Sequence, residues 1–405
     1  MTPLTTDHLI FNGRILTESA EIGCGYVHVR NGRIVSLGRD WADIETAERT
    51  DAKGLIVAPG LIDMHTHGIK DVDFMESSVE DTVRGLEAYT SYGVTRLVAS
   101  TLANPLENII AQAKRLRSAK EDARFGKILH GVHVEGPWIA PRCRGGHALE
   151  YLRVPEKQDV IRLLGEVGDV ICSVTFAPEL PNAVWLTEQL VSLGIVASIG
   201  HTEASFEDAQ AVILAGARHG THLYDTNLGY KENPNEALVM MPGHETALLM
   251  NDDVSVELIG CPVHVPTPFF SFINKVKPRS KKIIVTDSLV GTGMPEKTVL
   301  TYKDGRKVYV EEGVIRMLDD DPEVNGNLTG SAVTLNVGLR RLREYTGMTT
   351  HEAIRWGTIN PATTLRINHE TGSLTVGKLA DIIVMDDDFN VMKTFVRGEP
   401  VYTRR

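Results

Sequence analysis

Histidine residues end one of the most apolar segments of the chain. The stretch LIVAPGLIDMHTHG, residues 55–68, closes with His65 and His67, which are separated by a single residue. Residues i and i+2 of a strand point to the same side, so both imidazoles would project together. Two imidazoles directed at one point suit a divalent metal. Taken alone, the pair fits equally well with one buried and one surface histidine.

Four further segments end in a histidine or a carboxylate. They are GVHVEGPW with Glu135, SIGHTEAS with His201, GTHLYDTN with His222 and IIVTDSL with Asp287. Charged groups are rarely buried unless they are paired or bind a metal. Six such residues, each at the end of an apolar segment, therefore predict a metal-dependent active site.

The segments that carry these residues alternate with amphipathic stretches. Eight short apolar strands, from LIDMHTH to KIIVTDS, are mostly separated by helical segments such as SVEDTVRGLEAYTSYG and LENIIAQAKRLRSAK. This alternation predicts an α/β fold, a (β/α)8 TIM barrel, whose active site lies at the C-terminal ends of the strands. An open doubly wound sheet is the alternative. It requires a glycine-rich turn after the first strand, and HTHGIKD is no such turn.

Both ends of the chain have the texture of short strands joined by turns. This texture predicts one small β-sandwich domain built from both termini, residues 1–56 and 366–405, with the catalytic barrel at 57–365. Two Asn-Gly pairs, Asn12-Gly13 and Asn31-Gly32, predict hairpin turns within the first of these segments.

The bulk composition excludes several classes of protein. The chain has 405 residues, 42% of them hydrophobic and 23% charged, with a formal net charge of −11. An acidic protein is poorly suited to nucleic acid or to an anionic membrane surface, and no apolar run approaches the roughly 20 residues of a membrane span. Four scattered cysteines and a first segment without a secretory signal favour a cytoplasmic protein.

The motifs together resemble the amidohydrolase superfamily. PGLIDMHTHG, HVEGPW, GHTEAS, THLYD, VTDS and GSLTVGKLADIIVMD occur in the order of that superfamily over almost the whole chain, and they are most similar to the N-acetylglucosamine-6-phosphate deacetylase family. Several superfamily branches bridge two metals with a carboxylated lysine on strand four. Here that strand, VICSVTFAPE, has no lysine, and Glu135 on strand three takes the place, as in the deacetylase branch.

The resemblance implies a role for each residue of the predicted metal site. His65 and His67 would bind one metal with Glu135, while His201 and His222 would bind a second that Glu135 bridges. One or two divalent ions per subunit are implied, and Zn²⁺ or Fe²⁺ suits such nitrogen and oxygen ligands. Asp287, a ligand and the catalytic residue, would accept a proton from water and return it to the leaving amine.

Other loops resemble the family's contacts with its sugar phosphate substrate. They are RGGHALE, GCPVHVP and NLTGSAV, together with the pair after His222, and they point to Gly146, His147, Asp225, Thr226, His264, Leu328, Thr329 and Gly330. His147 or His264 would hydrogen-bond the substrate carbonyl or hydroxyls, and the alternative is that each is a surface loop histidine. His133 shares a face with Glu135 and is interpreted as a residue that supports the ligands or as a structural one, and His219 is expected to point away from the site.

Two positions depart from the family pattern. Asp225-Thr226 replaces an Asn-Ala pair, and Met240 stands where the family places an arginine that reaches the phosphate. A carboxylate repels a phosphate dianion, and the loss of an arginine removes a charge-assisted contact. The sequence therefore predicts a deacetylase with altered specificity for the distal group of an N-acetylated amino sugar, one that is not a phosphate.

Two alternative functions accompany this prediction. A second enzyme hypothesis keeps the metals and changes the substrate to another N-acyl or cyclic amide. A third hypothesis is a metal-free interaction protein on the same scaffold, which the retention of all six site residues disfavours. The resemblance also implies a homodimer in which a neighbouring subunit helps to close the pocket of a small-molecule substrate.

Overall fold

The computed structural model describes residues 7–233, 235–302, 305–322 and 324–404. Two eight-stranded sheets organise this part of the chain, one built from both ends and one from the middle. The prediction of a barrel with a separate sheet domain from the termini is confirmed. The exact boundaries, 56/57 and 365/366, stay a prediction.

The terminal sheet joins the strands between residues 7 and 59 to the last strands of the chain. Its strands are Asp7–Leu16, Glu21–Arg30, Arg33–Gly38, Glu48–Asp51, Ile56–Pro59, Ile382–Met385, Val391–Val396 and Glu399–Thr403. The chain ends meet where Ile56–Pro59 pairs antiparallel with Ile382–Met385. Asn31 and Gly32 both adopt positive φ, 52° and 74°, in the tight turn between the second and third strands, as predicted.

The predicted turn at Asn12-Gly13 is wrong. Both residues lie inside the strand Asp7–Leu16, where the pairing with the next strand shifts register on either side of Gly13. Asn12 takes a positive φ of 58°, which here accommodates a β-bulge. A Cβ on Gly13 would lie 2.6 Å from Val57 Cγ2, so glycine is required by close packing.

The second sheet is a nearly closed parallel barrel. Its strands, in chain order and in spatial order, are Leu61–Thr66, Val94–Thr101, Leu129–Glu135, Ile171–Phe176, Val196–Ile199, His219–Gly220, Ser255–Ile259 and Lys282–Val285. The first and last strands meet through hydrogen bonds from Asp287 N to His65 O (2.9 Å) and from His67 N to Ser288 O (2.8 Å). Most strand residues are buried on both faces, as expected where helices cover a parallel sheet.

Helices follow the barrel strands and cover the outside of the barrel. They are Val79–Thr90, Leu106–Ala119, Lys157–Val167, Ala183–Ser192, Phe206–Leu214, His244–Met250, Thr267–Val276 and Leu335–Thr346, followed by Thr350–Arg355 and Ile359–Thr364. Short 3₁₀ turns occur at Gly126–Ile128, Pro141–Cys143, Leu149–Tyr151 and Arg279–Lys281. Side-chain caps fix where several helices begin. The Ser205 hydroxyl accepts from Asp208 N in a capping box, for example.

A four-stranded antiparallel insertion follows the last barrel strand, and the sequence analysis missed it. Its strands are Val299–Thr301, Lys307–Glu311, Val314–Leu318 and Leu328–Ser331. Leu289 N donates to Ser331 O at 3.0 Å, which ties the insertion to the segment directly after Asp287. The insertion therefore sits at the mouth of the barrel, beside the predicted site.

Two short hairpins complete the described strands. They are Gly68–Ile69 with Val72–Asp73, and Lys231–Glu232 with Met240–Met241. Among the helices in the described ranges, none combines the length and the apolar character that a membrane crossing would need.

Candidate metal centre

The six predicted metal-site residues converge at the C-terminal mouth of the barrel. They belong to or directly follow strands one, three, five, six and eight, and they are His65, His67, Glu135, His201, His222 and Asp287. All are largely buried, and the side chain of Asp287 is the most accessible at 14% exposure. This convergence is what the barrel topology dictates for residues at strand ends.

Glu135 lies at the centre of the cluster. Its Oε1 is 3.2 Å from His65 Nε2, 3.3 Å from His201 Nε2 and 3.1 Å from His222 Nε2. Its Oε2 is 2.9 Å from His67 Nε2. One carboxylate therefore contacts four imidazoles through both of its oxygens.

The spacing of the donor atoms fits a divalent metal. Nε2 of His65 and Nε2 of His67 are 3.3 Å apart, and Nε2 of His201 and Nε2 of His222 are 3.1 Å apart. Ligands held at 2.0–2.1 Å from a tetrahedral ion are separated by about 3.3 Å. Asp287 Oδ1 extends the first pair, since it lies 3.2 Å from His67 Nε2 and 3.4 Å from His65 Nε2.

Hydrogen bonds to the other ring nitrogens fix the tautomer of two of these histidines. His65 Nδ1 donates to Glu257 Oε1 at 2.7 Å, and His201 Nδ1 donates to the Cys143 carbonyl oxygen at 2.7 Å. Each bond places the proton on Nδ1 and leaves the lone pair of Nε2 directed into the cluster. Nε2 is thus the ring nitrogen that each of these residues presents to a metal.

His147 also reaches Glu135, but its tautomer is the opposite one. Ala103 N donates to His147 Nδ1 at 3.0 Å, so the proton of the neutral ring is on Nε2, which lies 3.6 Å from Glu135 Oε2. Burial lowers the pKa of His147 to about 4, which keeps the ring neutral. His147 can therefore donate a hydrogen bond at the site, whereas His222 is better suited to complete the second ligand set.

The cluster holds strongly shifted pKa values. Burial alone would raise the pKa of Glu135 and of Asp287, but the surrounding histidines outweigh it and hold both carboxyl pKa values well below the usual range. Burial likewise would lower the pKa of His67 and His222, but their carboxylate neighbours raise both to about 9. In the protein without metal, protons and divalent ions compete for these imidazoles.

Glu257 is a buried carboxylate that the sequence analysis missed. It lies in the seventh barrel strand, and its oxygens accept from His65 Nδ1, from His219 Nε2 at 2.9 Å and from His222 N at 3.1 Å. His219 thus contacts the carboxylate that also bonds His65, and its expected orientation away from the site stays a prediction. Glu257 therefore orients two members of the candidate metal centre.

His133 is buried against the ring of His65, and its two ring nitrogens form hydrogen bonds with the hydroxyl groups of Ser100 and Thr175.

We expect Glu257→Gln to weaken metal binding without abolishing it. The amide retains the shape of the side chain, but it removes the negative charge that fixes the Nδ1–H tautomer of His65. Substitution of such supporting groups costs roughly 10- to 100-fold in metal affinity. Competition with a fluorescent zinc chelator would measure this change, and an unaltered affinity would contradict the supporting role.

The backbone is strained where three of the clustered residues leave their strands. His201, His222 and Asp287 have φ values of 50°, 24° and 46°, a region that residues other than glycine seldom adopt. Such conformations persist only where the surrounding structure imposes them, and they concentrate at functional sites. Here they turn each side chain toward the barrel axis.

One cavity joins the metal cluster to most of the predicted substrate contacts. It is lined by Gly146, His147, Asp225, Thr226, His264, Thr329 and Gly330 in addition to members of the cluster. Leu328 does not line it and is partly exposed on its strand. Four lining residues were not predicted from the sequence: Leu102, Leu289, Tyr302 and Arg306.

Two ionisable groups beside the cluster are electrostatically linked. Burial raises the pKa of Asp225, while the nearby His222 and His264 partly offset that effect. Burial would lower the pKa of His264, but Cys261 and Asp225 outweigh it and raise that pKa. Asp225 and His264 therefore present a polar, hydrogen-bonding wall to any molecule in the cavity.

The fold and this site define a metal-dependent hydrolase of the barrel type, and comparison of the sequence agrees. The amidohydrolase family model matches residues 56–401, and the chain belongs to that family. It is 29% identical to N-acetylglucosamine-6-phosphate deacetylase of Bacillus subtilis over 394 residues, 96% of each protein. It is 26% identical to N-acetylgalactosamine-6-phosphate deacetylase of Escherichia coli over 394 residues, 97% of this chain and 98% of the relative.

The chain is also similar in three-dimensional structure to a solved deacetylase. The crystal structure of N-acetylglucosamine-6-phosphate deacetylase from Pasteurella multocida superposes with a TM-score of 0.87 at 27% identity, covering 98% of this chain and all of the other. The shared architecture thus includes the terminal sheet as well as the barrel.

Proposed function

We propose that the protein removes an acetyl group from an N-acetylated amino sugar by metal-dependent hydrolysis of the amide bond. The observation that carries the proposal is the contact of one carboxylate, Glu135, with four imidazole Nε2 atoms at the barrel mouth. The deacetylase relatives, which match over nearly their whole length, supply the class of substrate.

The residues of the cluster would have two roles, metal binding and proton transfer. His65, His67, Glu135, His201 and His222 would hold one or two Zn²⁺ or Fe²⁺ ions, with Asp287 at the edge. A bound divalent ion supplies Lewis acidity and lowers the pKa of water to about 7. Asp287 is the most accessible carboxylate of the cluster, and it would take the proton of the attacking water and deliver it to the leaving amine. His147 Nε2–H would donate to the acyl oxygen.

We expect acetate release to require the metal. Protein treated with a chelator should lose more than 99% of its activity on N-acetylglucosamine or its 6-phosphate, and added Zn²⁺ or Fe²⁺ should restore it. Metal analysis of the same samples measures occupancy and separates this hypothesis from a metal-free interaction protein. Activity confined to cyclic amides, with every N-acetyl sugar refused by metal-loaded protein, would instead support the alternative amidohydrolase function.

The proposal includes altered specificity for the distal group of the sugar. Asp225 lines the cavity. Met240 lies on the short hairpin of Lys231–Glu232 with Met240–Met241, where it is 67% exposed and does not line the cavity. A preference of more than tenfold in kcat/KM for N-acetylglucosamine-6-phosphate over N-acetylglucosamine would overturn this part of the proposal while leaving the reaction intact.

The proposal also includes a cytoplasmic homodimer. The short hairpin and its flanks carry an exposed apolar surface, with Tyr230 at 68%, Leu238 at 93% and Met240 at 67% exposure. Surfaces of this kind favour association, and four unpaired cysteines are compatible with a reducing compartment. Light scattering after size-exclusion chromatography tests the assembly, and a monomer at micromolar concentration would contradict it.

A further inference from the structure

A chain of hydrogen bonds runs from the N-terminal end of the seventh barrel strand to the metal centre. The Thr364 hydroxyl donates to Ser255 Oγ, at the start of that strand, over 3.1 Å. Ser255 Oγ lies 2.9 Å from His219 Nδ1, and His219 Nε2 lies 2.9 Å from Glu257 Oε2. Glu257 Oε1 then accepts from His65 Nδ1 at 2.7 Å. His219 is thus the middle member of a chain that ends at a candidate metal ligand.

The two oxygens of Glu257 have different partners. Oε1 accepts from two groups, His65 Nδ1 and His222 N, whereas within the described ranges the partner of Oε2 is His219 Nε2. Glu257 is 1% exposed, so bulk water cannot replace a donor that is lost. A buried acceptor without a donor is strongly destabilised, which gives the carboxylate a reason to move. His219 therefore holds the group that supports one member of each ligand set.

The ring of His219 is itself held from the opposite side. It is 2% exposed in the sixth strand, where His219 pairs in register with Ser255. The Ser255 hydroxyl is fixed in turn, since it donates to Arg218 O at 3.1 Å. A carboxylate oxygen can only accept, so Nε2 of His219 carries a proton. Because the ring is bonded at both nitrogens, it cannot turn Nε2 away from Glu257 without losing a bond.

From this chain we propose that His219 is a positioning residue of the metal centre. Its Nε2–H holds Glu257 in the orientation in which that carboxylate fixes the tautomer of His65 and the backbone of His222. The inference rests on the metal binding that the proposed function requires, and it goes further, because a histidine that bonds neither metal nor substrate would set the metal affinity. Groups that bond a ligand directly contribute roughly 10- to 100-fold in affinity, and His219 acts one bond further out, so we expect about fivefold.

The test compares two amide substitutions at this one position. The amide nitrogen of glutamine reaches about as far as imidazole Nε2, whereas that of asparagine reaches only as far as Nδ1. We expect His219→Asn to raise the Kd of Zn²⁺ by about fivefold or more and His219→Gln to keep it within about twofold, as measured by chelator competition on folded protein. The visible spectrum of Co²⁺-loaded protein should change in the asparagine variant only, because it reports ligand geometry.

A double-mutant cycle shows whether the effect passes through Glu257. In a Glu257→Ala background, His219→Asn should raise the Kd by less than about twofold, because the carboxylate that His219 holds is already gone.

His8→Asn is the matched control. This ring is 5% exposed in the terminal sheet, and it too bonds a hydroxyl and a carboxylate, since it lies 2.9 Å from Thr50 Oγ1 and 3.2 Å from Glu48 Oε2. The substitution should lower the Tm and leave the Kd of Zn²⁺ unchanged, as a merely structural role predicts.

The proposal is overturned if both His219 variants bind Zn²⁺ as tightly as the parent protein, if both weaken binding equally, or if the losses in the cycle are additive. His219→Met, which fills the space without a donor, replaces the asparagine variant if circular dichroism shows that the latter is unfolded. Tight, His219-dependent binding of Zn²⁺ without any release of acetate would refute the proposed function alone. A parent protein that binds neither Zn²⁺ nor Fe²⁺ would overturn both.

Discussion

Asp287→Asn is expected to lower kcat/KM for acetate release by about 10³-fold or more while the protein remains folded. The substitution is isosteric, but an amide cannot accept a proton from water or return one to the leaving amine. Loss of a general acid–base group alone costs roughly 10²–10⁴-fold, and Asp287 would serve in both steps. A 10³-fold loss corresponds to about 4 kcal/mol of transition-state stabilisation.

Asp287 also touches the ligand set, so its kinetic and binding roles have to be separated. Five other ligands remain in the variant, and we expect metal content within twofold of the parent protein. Asp225→Asn is the matched control, because it makes the same chemical change in the same cavity. It should act mainly on KM, with kcat changed less than tenfold. An Asp287→Asn enzyme that kept a tenth of its activity would rule out the catalytic assignment.

The barrel and the convergence of six histidines and carboxylates at its mouth could be predicted because both follow from simple periodic rules. Parallel strands covered by helices are continuous apolar runs, and their C-terminal ends meet at one mouth. A polar residue at the end of such a run or just after it, as at His65 or Asp287, therefore lies at that mouth. The strained backbone at His201 shows the cost of that placement, which is invisible in the sequence.

The missed residues lie where those rules do not apply. Glu257 is inside its strand, in VSVELIG, and only its charge within a buried run signalled a buried partner. The insertion has a clear alternation in RKVYVEEGVIRM, but it interrupts the expected order of strand and helix. Arg306 lies on a loop, and the direction of a loop side chain depends on tertiary packing. The turn predicted at Asn12-Gly13 was wrong for a related reason, because a residue with positive φ can occupy a β-bulge as readily as a turn.

Glu135→Gln is expected to remove the metal and, with it, at least 10³-fold of the activity. The glutamine keeps the length of the side chain, but it replaces an anion that contacts four imidazoles with a neutral group. Its NH₂ would also present a donor to lone pairs that the supporting hydrogen bonds of His65 and His201 have directed inward. Both candidate metal positions depend on this one carboxylate, so a single substitution should empty both.

Metal analysis after dialysis, followed by a titration of activity with added Zn²⁺ or Fe²⁺, measures the two effects together. Glu107→Gln makes the same change at an exposed site that pairs with Arg162 on the surface, and it should retain full occupancy and activity. We expect the Glu135→Gln protein to need at least 100-fold more metal for any recovery, because a ligand contributes more than the supporting groups whose loss costs about 10- to 100-fold. Normal occupancy in this variant would mean that the histidines alone hold the ion and that Glu135 is not a bridge.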